Sequence, residues 1–345
     1  MKEKGDSRYK RFIETAFREV SRVLQQYSSR FSKKTYTQRQ LAVAILLMKY
    51  EKKTYRDITD LLTEFTGYFK FEDGTPHFTT LQKFFDRIPT YVWEFLLAKT
   101  YELFAGDVAN VAIDSTGYRL HHASQHYEHR IGRKRERKRF MKHILSIDTD
   151  NQAIIVSESR RSCINDNITF RPMLKKTNEI IDVDNATADK GYDSEENHRF
   201  EHKKIGANSV IPLRYEVPLR RTTGFYRRKL RRSFPYDIYH QRSKIETINS
   251  VEKRKFGDEL RSKLLKMQRR EMKVIDVVYN IHRYLNYIVS VMIGFLQSLF
   301  LKNFGFWIVC PSESATKLSM PMSMPTGFVS VIFGGFIICS AVKIA

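Results

Sequence analysis

Residues 108–117 read VANVAIDSTG, and this stretch decides the fold. Val108 to Ile113 is mostly apolar, too short for a stable helix and of the right length for a buried strand, so it reads as a strand ending at Asp114. Downstream, His143 to Ile147 and Ala153 to Val156 read as a hairpin turning at Asp150-Asn151. Arg171 to Ile181 reads as a helix, and Asn185 to Ala188 as a second strand ending in an acid, Asp189. Ser194 is placed to cap a helix reaching Lys204, and Ser209 to Leu213 reads as another strand. One long polar helix is predicted from about Tyr236 to Lys255. Alternating strands and helices make an α/β domain, and acids at two strand ends put a site at the strand C-termini.

Upstream of Val108 the pattern is helical. Thr37-x-x-Gln40 is a capping box opening a helix with Leu41, Ala44, Ile45 and Met48 on one face. Thr54-x-x-Asp57 opens a second, with Ile58, Leu61, Leu62 and Phe65. After a Gly74-Thr75-Pro76 loop, Thr79 or Thr80 is expected to cap a third carrying Leu81, Phe84, Phe85 and Ile88. Short helices on a basic chain suit a helix-turn-helix-like DNA-binding module; the competing reading is a plain helical bundle packed on the next domain.

The 345 residues hold 60 Lys+Arg against 38 Asp+Glu, a net charge of +22, so a polyanion is the expected partner. A hydrophobic fraction of 42% excludes a mainly disordered chain. Three scattered cysteines, Cys163, Cys310 and Cys339, exclude a disulfide framework, and no C-x-x-C pair suggests structural zinc. The start, MKEKGDSRYKRF, has no apolar run of a signal peptide.

From Tyr284 onward, 62 residues net only +2, leaving +20 on the first 283. Two apolar runs, Ile288 to Leu301 and Gly327 to Val342, flank a Pro/Ser/Met-rich stretch. The tail reads as an appended segment of read-through or frameshift type, with a membrane anchor as the alternative. The first run has 14 residues, against the roughly 17–25 needed to span a bilayer. The expected organisation is therefore a helical region 1–105, an α/β domain 106–283 and an apolar tail 284–345.

Asp114, Asp189 and Glu246 are the candidate catalytic acids. Carboxylates are the oxygen donors that Mg²⁺ prefers, and acids from neighbouring strand ends are placed to share two ions for in-line phosphoryl transfer. On an ideal helix Tyr239, Arg242, Glu246 and Lys253 fall within an arc of roughly 60°, spread over about 21 Å. A phenol, a guanidinium, a carboxylate and an ammonium then share one stripe; the plainer reading is a solvated face of ion pairs. Asp193 reads as a helix cap, and Glu252 points off the stripe, so neither is expected to be a ligand.

Tyr239-x2-Arg242-x3-Glu246-x6-Lys253 resembles the Y-R-E-K signature of the IS4/IS5-type insertion-sequence transposases. Ile113-Asp114-Ser115-Thr116 and Ala188-Asp189-Lys190-Gly191-Tyr192 resemble the two acidic motifs of the same families, in order and separated by 75 and 57 residues. The resemblance covers about residues 31–283. It implies an RNase H-like core after the helix-turn-helix-like domain, with a DDE triad of Asp114, Asp189 and Glu246 holding two Mg²⁺ ions, or Mn²⁺ in their place. The implied activity is strand cleavage at transposon ends and strand transfer into target DNA. Tyr239, Arg242 and Lys253 would contact the end, double-stranded DNA is the partner, and a homodimer on paired ends is expected. Such a protein works in the cytoplasm at the nucleoid, with the tail's membrane association as the alternative. The alternative function is that of an inactive or domesticated sequence-specific DNA-binding protein.

Two basic clusters fit that partner. Gly117 to His143 contains Arg133, Lys134, Arg135, Arg137, Lys138 and Arg139, expected to grip phosphates. Its five histidines, His121, His122, His126, His129 and His143, have no second ligand set that would make a zinc site. Arg227 and Arg228 belong to a second cluster just before the Glu246 helix. Both tryptophans, Trp93 and Trp307, lie outside Asp189 to Glu246, leaving Tyr215, Phe225, Tyr226 or Phe234 as the aromatic rings available to stack on a base, with the hairpin pathway left open.

Overall fold

The computed structural model describes residues 8–104, 106–120, 140–161, 165–215, 218–304, 328–333 and 336–341. Helices α1 (Arg8–Val23), α2 (Gln38–Tyr50), α3 (Tyr55–Glu64), α4 (Thr66–Phe69), α5 (Phe78–Arg87) and α6 (Thr90–Tyr101) come first. The mixed part follows with β1 (Val108–Leu120), β2 (Phe140–Asp148), β3 (Ala153–Arg160), α7 (Asp166–Asn178), β4 (Asp182–Ala188), α8 (Glu195–Phe200) and β5 (Asn208–Val210). Then come α9 (Phe225–Arg232), α10 (Tyr236–His240), α11 (Ser243–Phe256), β6 (Glu259–Leu260) and α12 (Leu265–Phe304), with β7 (Phe328–Phe333) and β8 (Phe336–Ala341) as an antiparallel pair near the end.

The main sheet runs β3-β2-β1-β4-β5, with β2 antiparallel to both neighbours and β1, β4 and β5 parallel; β6 pairs in parallel with Arg119 and Leu120 at the far end of β1. This mixed order flanked by helices is the RNase H-like arrangement expected. Alternation along β1 divides the molecule into layers. Ala112, Tyr118 and Leu120 face a core shared with α1–α6, α11 and α12, whereas Ala109, Val111 and Ile113 face α7 and β4. The N-terminal helices therefore close one face of the sheet through a common core.

Both predicted capping boxes form: Thr37 with Gln40, and Thr54 with Asp57. The third cap differs. His77, not Thr79 or Thr80, precedes α5 and accepts from the Thr79 amide, because a ring nitrogen can serve where a hydroxyl was expected.

Other boundaries depart from the sequence as well; the strand expected over Ser209 to Leu213, for one, is observed as Asn208–Val210. β1 continues to Leu120 instead of ending at Asp114, because β2 pairs with it from Val111 to Arg119. α7 begins at Asp166, capped by Asn165, so Pro172 lies inside the helix instead of opening it. Ser194 does cap α8, but the α-helix ends at Phe200 and gives way to a wider turn over residues 201–205. The long polar helix tightens at residues 241–245. There Gln241, Arg242, Lys244 and Ile245 donate to the carbonyls three residues back, leaving α10 and α11 as separate segments.

The chain divides into two compact units, Met1–Leu285 and Asn286–Ala345. Among the described residues, no helix is long and apolar enough to cross a membrane.

Candidate active site

Strand register brings two of the acids together. Ile113 and Ala188 are the last partners of the parallel β1–β4 ladder, so Asp114 and Asp189 emerge side by side on strands about 4.8 Å apart. Asp114 Oδ1 accepts from the Ser115 amide at 2.8 Å. The chain turns immediately after Asp189, whose carbonyl accepts from the Tyr192 amide at 2.9 Å.

The third acid arrives on α11, which packs on β1, while α10 packs on β4. Arg242 joins the elements: its Nη2 donates to Glu246 Oε1 at 3.0 Å and its Nη1 lies 3.6 Å from Asp114 Oδ2. The same guanidinium sits 5.8 Å from the Tyr239 ring centre. Burial acts to lower the Arg242 pKa, but Tyr239 and the carboxylates of Asp114, Glu246 and Asp189 outweigh it and raise it. One cation thus feels all three acids. Tyr239, Arg242 and Glu246 meet despite the tightened winding, because the i,i+4 step from Arg242 to Glu246 survives it.

Lys253 reaches β1 directly, its Nζ donating to Thr116 Oγ1 at 2.5 Å. Thr116 is two residues beyond Asp114 and on the same face of the strand. All four members of the predicted stripe therefore lie along one side of β1 and β4.

The second basic cluster is used differently. Arg227 forms a two-pronged pair with Asp193, Nε to Oδ1 at 3.0 Å and Nη2 to Oδ2 at 2.8 Å. Asp193 also accepts from the Arg214 amide at 2.8 Å and lies 3.2 Å from His198 Nε2. Burial would raise its pKa, yet these partners hold it below the usual carboxylate range. Asp193 is thus a clamp on the loop after Asp189, and the cap expected of it is supplied by Ser194. Arg228 turns its Nε to the Thr222 carbonyl at 2.7 Å. Neither Arg227 nor Arg228 is brought to the carboxylate cluster. Arg133, Lys134, Arg135, Arg137, Lys138 and Arg139 lie outside the described residues.

Among the aromatic candidates, Tyr226 stacks on His202 at 4.6 Å and Phe234 packs edge-on to Tyr239 at 5.4 Å. Phe225 and Tyr215 are 72% and 66% exposed.

Sequence reasoning missed a second polar group. Among the described residues, one set of three His, Asp or Glu side chains has its ligand-type atoms all within 4.8 Å of one another: His143, Glu252 and Asp276. It lies in the interior, with each residue at no more than 0% exposure. The three come from β2, α11 and α12, so no local motif announces them.

Residues 110–281 match the family model described as a transposase DDE domain. The chain carries a transposase DDE domain. No curated protein sequence matches the chain. Among solved structures the chain is similar to a piggyBac transposase from a synaptic complex with hairpin DNA, at 10% identity and a TM-score of 0.44, over 82% of this chain and 73% of that one. The matched DDE segment contains Asp114, Asp189, Arg242, Glu246 and Lys253.

Proposed function

We propose that the protein is an IS4/IS5-type transposase that binds the ends of its element and cuts and joins DNA at Asp114, Asp189 and Glu246. The observation that carries this reading is the geometry of the acids: strand register sets Asp189 beside Asp114, and Arg242 donates to Glu246 at 3.0 Å while lying 3.6 Å from Asp114. A cluster that holds a monovalent cation through hard oxygen donors also has the chemistry for Mg²⁺ or Mn²⁺. Asp114, Asp189 and Glu246 would hold two such ions, which supply the positive charge that offsets phosphate oxygens during in-line displacement.

The remaining chemistry belongs to the chain. Arg242 and Lys253 present positive charge beside the acids, and each would steady a backbone phosphate. Tyr239 lays a ring against Arg242 and keeps its planar head aligned. The Asp193–Arg227 pair fixes the loop that follows Asp189, so that this carboxylate is held where the strand delivers it. DNA would run along the side of β1 and β4, with a second copy of the protein serving the paired end.

Nicking of supercoiled plasmid with Mg²⁺ tests the proposal. Wild type converts it to open circles and Asp189→Asn does not. Equal activity in both overturns the catalytic assignment. Specific end binding without cleavage by either protein favours the second reading, an inactive DNA-binding descendant. Release of the protein from membranes by carbonate is expected for the proposed cytoplasmic, nucleoid-associated location.

A further inference from the structure

Behind the carboxylate cluster, four fully buried side chains form a polar chain: Tyr118 of β1, Glu252 of α11, Asp276 of α12 and His143 of β2. Tyr118 Oη donates to Glu252 Oε2 at 2.9 Å. His143 Nε2 lies 2.9 Å from Asp276 Oδ1, and its Nδ1 lies 2.9 Å from Ser159 Oγ. The Ser157 hydroxyl donates to the other Asp276 oxygen. The Tyr118 and His143 rings meet edge to face at 5.8 Å.

We propose that this chain is a positioning device that sets the height of the Glu246 helix against the strand carrying Asp114. It rests on the reading of Asp114, Asp189 and Glu246 as the catalytic acids. Consecutive residues of α11, Glu252 and Lys253, hold alternate residues of β1, Tyr118 and Thr116. Those two lie on the same strand face as Asp114, four and two residues beyond it. Glu246 is six residues before Glu252, about 9 Å along the helix. Apolar contacts such as Ile245 and Ile248 keep α11 on the sheet but are non-directional. Hydrogen bonds at two successive helix positions resist both sliding and rotation. Asp276 and His143 then brace Glu252 from behind, through α12 and β2.

The chemistry suits a neutral Glu252. Burial, and the neighbouring Asp276 through its charge and a hydrogen bond, push its carboxyl well above the usual range. A protonated acid facing Asp276 avoids two uncompensated buried charges. Glutamine reproduces that neutral shape and can still accept from Tyr118; alanine cannot.

Steady-state nicking of supercoiled plasmid with Mg²⁺ is measured for Glu252→Gln, Glu252→Ala and Tyr118→Phe, beside wild type and Asp189→Asn. Anisotropy of a labelled duplex reports DNA affinity, and thermal melting reports folding. Glu252→Gln is expected to stay within about threefold of wild-type kcat. Glu252→Ala and Tyr118→Phe are expected to lose about 10- to 100-fold in kcat, the scale of an ångström-sized misplacement, with KM and duplex affinity little changed. If Glu252→Ala does not fold, Tyr118→Phe and Glu252→Gln decide. Full kcat in a folded Tyr118→Phe overturns the proposal, as does a Glu252→Gln protein as slow as Tyr118→Phe. One equivalent of transition metal in the purified protein, lost in His143→Ala, would make this a metal site instead. Asp189→Asn separates the failures: if it nicks like wild type, the catalytic assignment falls; if it is inactive while Tyr118→Phe keeps full kcat, only the positioning role falls.

Discussion

Arg242 donates to Glu246 at 3.0 Å while its other nitrogen stands 3.6 Å from Asp114. The guanidinium is the positive charge shared by two acids that reach it from different elements. Divalent ions drawn to the same oxygens must compete with it. Arg242→Ala should therefore show a larger Mg²⁺-induced rise in melting temperature than wild type, together with weaker duplex binding and a salt slope reduced by about one. Melting curves with and without Mg²⁺ and a salt titration measure both. An unchanged Mg²⁺ response would mean that Arg242 does not compete for the site.

The Asp193–Arg227 pair makes an acid-sensitive clamp. Asp193 is held below its ordinary pKa of 3.8, so it contributes stability that is fully present above that value and is lost as pH falls through the lower folded value. Asp193→Asn should be less stable at neutral pH, by roughly 3–5 kcal/mol for a broken buried pair. The gap between the two proteins should close as pH drops below about 4. Urea unfolding across that range reads it directly, and a gap that does not narrow contradicts the assignment.

His282 predicts a second pH effect of different origin. Burial, with Lys255 and Arg8 beside it, lowers its pKa from 6.5 to about 3. The folded ring stays neutral and accepts from Arg8 at 2.8 Å, while Lys255 Nζ lies 3.0 Å from its other nitrogen. The unfolded chain binds a proton between these two pKa values and the folded chain does not. Stability should therefore rise with pH from about 3 to 6.5 and fall as pH is lowered through that window. His282→Gln keeps an acceptor without titrating and should flatten this part of the stability profile. A slope identical to wild type would remove His282 as its source.

Gly224 precedes α9 at φ +92°, and a Cβ there would lie 2.1 Å from Glu195 Oε2. That carboxylate accepts from the Tyr226 and Arg227 amides at 3.1 and 3.2 Å, covering the helix start. Gly224→Ala combines left-handed strain with displacement of this cap, and should cost about 2–3 kcal/mol in urea unfolding. A cost below about 0.5 kcal/mol, the scale of an ordinary surface change, would show that the loop relaxes freely.

Much of this protein was legible in its local sequence. Strand-forming runs leading into acids, capping boxes at Thr37 and Thr54, and the Tyr239–Lys253 spacing all depend on neighbours close in the chain. Period and capping chemistry suffice for those. Boundaries set by pairing were not legible. β1 runs past Asp114 only because β2 lies alongside, and the tightened turn at residues 241–245 reflects where α10 and α11 pack.

The residue types of the site were determined by the sequence alone: three acids, a Tyr-Arg-Glu-Lys spacing and a basic chain to bring DNA to them. Tertiary structure decided which groups meet. Register placed Asp114 beside Asp189, Arg227 went to Asp193, and His143, Glu252 and Asp276 came together from three distant segments. The physical reason is that burial and pairing are properties of neighbours in space. A carboxylate in the chain looks the same whether folding gives it a guanidinium, a tyrosine hydroxyl or open solvent, and its charge and role follow from that partner.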